Sequence, residues 1–354
     1  MPQPVLGLVA SALVIALSLA YLSLFDFGTF VGWVAFYMLC LIPAQIVTVV
    51  LAPNPPLAPG RQPGRGLVLL LVNAVAAAVI TPIALYAAGE GISPPGPIPS
   101  HYVVIVVPTT FFLAIMFGGW PFTRLSRNGG VIGGLALLTS YVMTYGLFRV
   151  FFSYDFMQGA PVYLASAPAG LFNGEAALVF YVTVLAGMFL MLHFDLWPLT
   201  KAPAVMRQPA LGVVWLAIAV AVSALVMWVA AGQLGLGPMY ILTRITAPFI
   251  FGTIIVLNML QNSVFSKLSQ PVKGIANTVA ATVIGVVLAQ LYGLAAPSTV
   301  GAFPAGVPDA YEVWLVNALL SVTFPLLIFY AAYFNYWPLA RPALSAAAEE
   351  PVRT

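Results

Sequence analysis

What this chain lacks most is charge. Twelve Lys and Arg with nine Asp and Glu make 6% of 354 residues, too few to cover a 37.5 kDa globule in water. Soluble domains carry roughly a quarter charged residues, so an ordinary soluble fold is excluded. Cysteine is nearly absent too. Cys40 alone, in an apolar stretch, leaves no intrachain disulfide, CxxC pair or thiolate metal cluster. Two histidines, His101 and His193, cannot supply a three-histidine metal site or a haem pair. No GxGxxG, Walker loop, HExxH, GxSxG or magnesium-binding Asp pair occurs. The chain therefore points away from an enzyme, and no cofactor is expected. A net charge of +3, small and dispersed, also gives no reason to expect a nucleic-acid partner.

What is present is apolar: 62% of residues, with a mean hydropathy of +1.04. Thirty glycines and thirty prolines punctuate long apolar stretches, whereas disordered chains are poor in apolar residues. The composition predicts an all-helical polytopic membrane protein surrounded by lipid. A span needs about 20 apolar residues. Ten candidates appear, at 4–25, 29–51, 67–88, 102–119, 130–153, 174–195, 210–231, 241–264, 274–295 and 311–334. They form one transmembrane domain, 1–340, followed by a short tail, 341–354. The N-terminus lacks the basic stretch and cleavage site of a secretory signal and reads as a retained first span. The tightest connection is Phe25-Asp26-Phe27-Gly28.

Charge sign sorts the connections. Arg61, Arg65, Arg124, Arg127, Lys201, Arg207, Lys267 and Lys273, with Arg341 and Arg353 in the tail, fall in one set. Asp26, Glu90, Asp155, Glu175, Asp309 and Glu312 fall in the other, and the sets alternate along the chain. Because Lys and Arg are retained on the cytoplasmic side, both termini are expected there, in a cell (plasma or inner) membrane.

Three spans end alike: Trp120-Pro121-Phe122-Thr123-Arg124, Trp197-Pro198-Leu199-Thr200-Lys201 and Trp337-Pro338-Leu339-Ala340-Arg341. Tryptophan at the interface, a helix-ending proline and a base for headgroups make this an anchor. Phe265-Ser266-Lys267 is a degenerate copy, and Pro55, Pro56 and Arg61 a weaker one. Pro108 and Pro325 each precede their tryptophan by 12 residues, and Pro43 and Pro248 lie at comparable depth. Proline removes a donor and kinks a helix, which lipid tolerates only where neighbours satisfy the freed carbonyl. The pattern predicts five repeated helical hairpins with proline-kinked even-numbered helices inside and odd ones facing lipid.

Five such hairpins are similar in outline to the tellurite-resistance and plant guard-cell anion channel family, in which five tandem hairpins surround a pore blocked by a phenylalanine. The likeness is architectural and carries no residue motif. That family lines its pore with odd-numbered helices, whereas the interior prolines here lie in even ones. It nevertheless implies Phe111, Phe251 and Phe324 as candidate pore-facing aromatics.

Ionisable residues inside spans are functional suspects because burying them in lipid is costly. Arg149 and Arg244 break the basic pattern and are candidates for an electropositive outer vestibule, with pairing to acids such as Asp155 or Glu175 as the alternative. No acid lies near a span midpoint, which disfavours coupling to protons or sodium. Asn258 and Asn317 stand out among neutral polar residues that line a path or join helices. His193 and Asp195, with Met188 and Met191 upstream, form a weak metal candidate, because residues two apart do not share a helix face. At the start of the fifth span, Gly129-xxx-Gly133 and Gly130-xxx-Gly134 allow close helix approach. The function expected is a passive channel or facilitator for a small neutral or anionic solute. The alternative is a non-catalytic subunit, an anchor or quinone-side component, of a larger redox complex. Partners would be further copies of the chain or other membrane subunits.

Overall fold

The computed structural model describes residues 1–52 and 61–340. Pro55 and Pro56, the tail 341–354 and its Arg341 and Arg353 lie outside the described residues. Among the described residues ten helices are long and apolar enough to cross a membrane: α1 Val5–Leu22, α2 Phe27–Val50, α3 Gly64–Gly89, α4 Pro97–Met116, α5 Gly129–Phe151, α6 Gly174–His193, α7 Ala210–Gln233, α8 Pro238–Met259, α9 Val272–Thr299 and α10 Ala310–Tyr333. Strand is confined, among the described residues, to a parallel pair, β1 Phe152–Ser153 with β2 Phe172–Asn173, in the loop between α5 and α6. The chain is a multi-pass membrane protein.

The tight α1–α2 turn works because Asp26 caps α2. Its carboxylate accepts the Thr29 N–H at 2.9 Å and the Thr29 hydroxyl at 2.7 Å. Those hydrogen bonds satisfy orphan donors at the helix start and hold the Asp26 carboxyl below its usual range.

In the most apolar 18 residues of each span, 61–72% are buried for even-numbered helices and 22–44% for odd ones, which separates an inner set from an outer set. The inner helices touch in the closed order α2, α4, α6, α8, α10 and back to α2. Each outer helix lies in a groove between two inner ones: α5 on α4 and α2, α7 on α6 and α4, α9 on α8 and α6. Helix α3 packs on α2 and α10, and α1 on α10 and α8.

Pro43, Pro108, Pro248 and Pro325 sit within inner helices. A π-helical turn precedes two of them, at Leu242–Thr246 and Asn317–Thr323. An inserted residue of this kind opens the ladder where the proline ring would clash with the preceding turn. The Thr323 hydroxyl then takes up the Ala318 carbonyl at 2.8 Å.

Inner helices α4, α6, α8 and α10 end in paired left-handed residues: Gly118 and Gly119, Asp195 and Leu196, Gln261 and Asn262, Asn335 and Tyr336. Carbonyls left unpaired at such ends need partners, and four glutamines supply them. Gln3, Gln62, Gln208 and Gln270 each stand before a proline that begins an outer helix. Their amides donate to the carbonyls of Met259, Tyr333, Met116 and His193 respectively. For three of them the same side chain accepts the N–H of a glycine four residues on, at 3.0–3.3 Å: Gly7, Gly212 and Gly274. One side chain thus satisfies an orphan at each of two helix ends. The glycine is needed for the close approach, since a Cβ at Gly212 would overlap the Phe117 ring and one at Gly274 the Phe194 ring.

Candidate functional site

The inner ring encloses a cavity of about 1350 Å3. Its mouth lies at the end of the bundle bearing Asp26, Glu175 and Asp309, beneath the loops 89–97, 157–164 and 300–309. Its deepest lining residues are Ile42, Pro108, Leu185, Ile250 and Phe324, one from each inner helix. These lie at the interior-proline level of α2, α4, α8 and α10 and at the corresponding place in α6. The sequence itself therefore sets the depth of the floor.

Below that floor aromatic rings fill the axis. Phe324 of α10 and Phe111 of α4 belong to helices that are not neighbours in the ring, yet their rings are 6.1 Å apart and meet edge to face. Phe189 of α6 adds a third ring, 5.3 Å from Phe111. Phe189 was not singled out from the sequence. Its only signal there is an aromatic one turn beyond Leu185, the residue at the proline depth. Phe251 turns the other way and packs on Tyr292 of the outer helix α9.

Asn317 lines the cavity; its amide donates to the Val313 carbonyl and its oxygen accepts the Ser321 hydroxyl, both at 2.8 Å. Asn258 lies elsewhere, in a shallow depression of about 350 Å3 at the opposite end with Gln261, Asn262 and Tyr336. Neither arginine reaches the cavity wall. The Arg149 guanidinium donates to the Ser166 carbonyl at 2.5 Å, and the Ser166 N–H donates to Glu90 at 2.7 Å. Arg244 stands 3.7 Å from Glu312 and over the Tyr311 ring at 5.1 Å.

His193 and Asp195 diverge. His193 is buried, with Nε2 2.9 Å from the Thr253 hydroxyl. Asp195 faces outward and accepts from Lys273 and Gln270, both at 2.8 Å. Burial raises its carboxyl pKa, but these two donors outweigh that and leave it lowered. Met188 and Met191 are buried in the core. On the cavity rim, His101 Nδ1 and the Tyr154 hydroxyl are 2.9 Å apart. Burial first, then the Glu175 charge, pushes the Tyr154 phenol well above its usual range.

No family model matches this chain, and no curated protein or solved structure is measurably similar to it. Fold and site together define a class, the multi-pass helical membrane proteins with an axial cavity.

Proposed function

We propose that this protein is a passive channel or facilitator for a small solute, seen with its path shut. The observation that carries the reading is the axial cavity, open at one end of the inner ring and stopped at mid-depth by Phe111, Phe189 and Phe324. Below His101 and Glu175 the cavity wall holds no ionisable side chain among the described residues. A coupled carrier needs a titratable or oxygen-rich site near mid-depth, so transport down a gradient fits better. Of the two solute classes expected, the anion fits poorly, because the mouth carries three carboxylates.

In this reading the chain is five copies of one hairpin, with even-numbered helices kinked at their prolines. Support comes from the cyclic packing order and the recurring left-handed pairs and glutamine clamps. Both termini are cytoplasmic in a plasma or inner membrane, because the clamped, Lys- and Arg-rich end matches the side where such residues are retained.

The test is permeation. Truncating Phe324 to Ala removes the ring that forms the cavity floor. Proteoliposomes holding Phe324→Ala should swell in small polyols several-fold faster than those holding the parent chain. Equal rates in monodisperse preparations of both would sink the proposal.

A second reading, a subunit of a larger membrane complex, draws on Leu171 and Phe172, apolar residues 70% and 57% exposed on the α5–α6 loop. Apolar side chains beyond the spans fit a partner face. Stable co-purification of another membrane protein from native membranes would favour it.

A further inference from the structure

The wall of the axial cavity also carries a charge pattern that selects among solutes. Asp26, Glu175 and Asp309 stand at its mouth, and among the described residues no lysine or arginine lines it. Glu175 and Asp309 lie within electrostatic reach of one another. The two arginines at this end are engaged elsewhere, Arg149 with Ser166 and Arg244 with Glu312 and Tyr311. Apolar walls concentrate the field of such a rim, because a cleft with low-dielectric sides focuses field lines. An anion approaching the mouth is repelled.

A bare inorganic cation fits no better. Among the described residues no three His, Cys, Asp or Glu side chains converge on a point where a metal ion would sit. Farther down the wall runs through Leu39, Val104, Val182 and Leu242, and its polar pair there, Asn317 and Ser321, bonded to Val313 and to each other, is too small to replace the water such an ion must shed. An organic cation meets both zones. Its ammonium can stay near the carboxylates while its hydrocarbon body lies against the aliphatic wall and the rings of Phe36 and Phe324. The volume, about 1350 Å3, exceeds what a drug-sized ligand needs, roughly 300–1,000 Å3.

We propose that the cavity takes organic ammonium ions bearing an apolar body, with Glu175 and Asp309 fixing the charge at the mouth. This rests on the reading of the cavity as the solute site, and it puts an organic cation in place of the neutral or anionic solute expected from the sequence.

The experiment is calorimetric titration of the full chain in nanodiscs of uncharged lipid with three probes of similar size: benzyltriethylammonium, benzyl alcohol and benzoate. The ammonium should bind on the order of tenfold more tightly than benzoate. Its advantage should shrink several-fold in high salt and in Glu175→Gln/Asp309→Asn. Asp309→Asn alone should show part of that loss; Asn tolerates the left-handed backbone at this position, so this variant covers misfolding of the double one. Benzoate binding as tightly as the ammonium, no ammonium binding, or an advantage unchanged by both salt and Asp309→Asn would overturn the proposal. Ammonium binding without permeation in Phe324→Ala would sink the facilitator and leave this assignment standing. Permeation without charge preference would do the reverse.

Discussion

Two overlapping small-residue pairs at the start of α5 look equivalent in sequence and are not equivalent in space. A Cβ on Gly129 would sit 2.6 Å from the Leu51 carbonyl, and one on Gly133 would overlap Val47. Gly134, one residue on, faces open space, and Gly130 meets only the Asn128 cap. Helix α5 therefore approaches α2 through one pair alone. Gly133→Leu should force the helices apart at a cost of about 1–3 kcal/mol, while Gly134→Leu should be neutral. Thermal unfolding in one detergent checks this, and equal shifts in the two variants would show that the close approach is not used. Which pair packs is not legible in the sequence, because i, i+4 spacing names a face and not its neighbour. The glutamine clamps were legible in principle: Gln-Pro-x-x-Gly occurs at 3–7, 62–66, 208–212 and 270–274. Their role is hidden there because an amide at a helix end reads as ordinary interfacial polarity until its carbonyl partner is seen. Gln270→Leu should destabilise by roughly the 1–3 kcal/mol of a buried unsatisfied polar group, since it strands the His193 carbonyl. An unchanged melting temperature would contradict the clamp.

At the scale of elements, two of the Trp-Pro-basic endings bring their base to their own tryptophan. Arg124 lies 6.0 Å from the Trp120 ring and Lys201 5.6 Å from the Trp197 ring, so base and tryptophan also act on each other. Interior prolines alone do not mark the inner helices: Pro82 and Pro297 stand inside the outer helices α3 and α9, while Pro43, Pro108, Pro248 and Pro325 lie in the buried set. The π turns beside them had no sequence signature, because they answer to a steric clash that exists only in the folded helix. Nor did the sequence disclose how the loop 154–173 is held. Glu90 accepts the Ser166 N–H, and that hydrogen bond keeps the Glu90 carboxyl below its ordinary range. A depressed folded value means the tie stabilises the loop above the unfolded pKa, about 4.5, and is lost as pH falls through the lower folded value. Hydrogen exchange at Ser166 should therefore be faster in Glu90→Gln than in the parent at pH 7, and the difference should vanish near pH 3. A difference that persists in acid would assign the protection to something else.

The whole molecule shows why hydropathy alone yields spans but no arrangement. Apolar length counted ten helices and charge sign divided the loops, yet neither says which helices share a groove. The answer depends on contacts far apart in the chain: α1 rests on α10 and α8, and α3 on α2 and α10. Each outer helix thus follows one rule, packing between the inner helix before it and the inner helix before that, and only a closed circle lets α1 and α3 obey it too. A circle of this kind puts every glutamine clamp at one end of the bundle and the cavity mouth at the other, so one orientation test bears on both. With buried Cys40 replaced by Ala, a cysteine at exposed Thr200 should be shielded from an impermeant maleimide added outside intact cells. A cysteine at exposed Ala305, in the loop over the cavity, should react. The reverse pattern would turn the carboxylate-lined mouth towards the cytoplasm. The same cavity would then offer organic cations a way out of the cell, and Phe324→Ala would be expected to change efflux in cells before uptake.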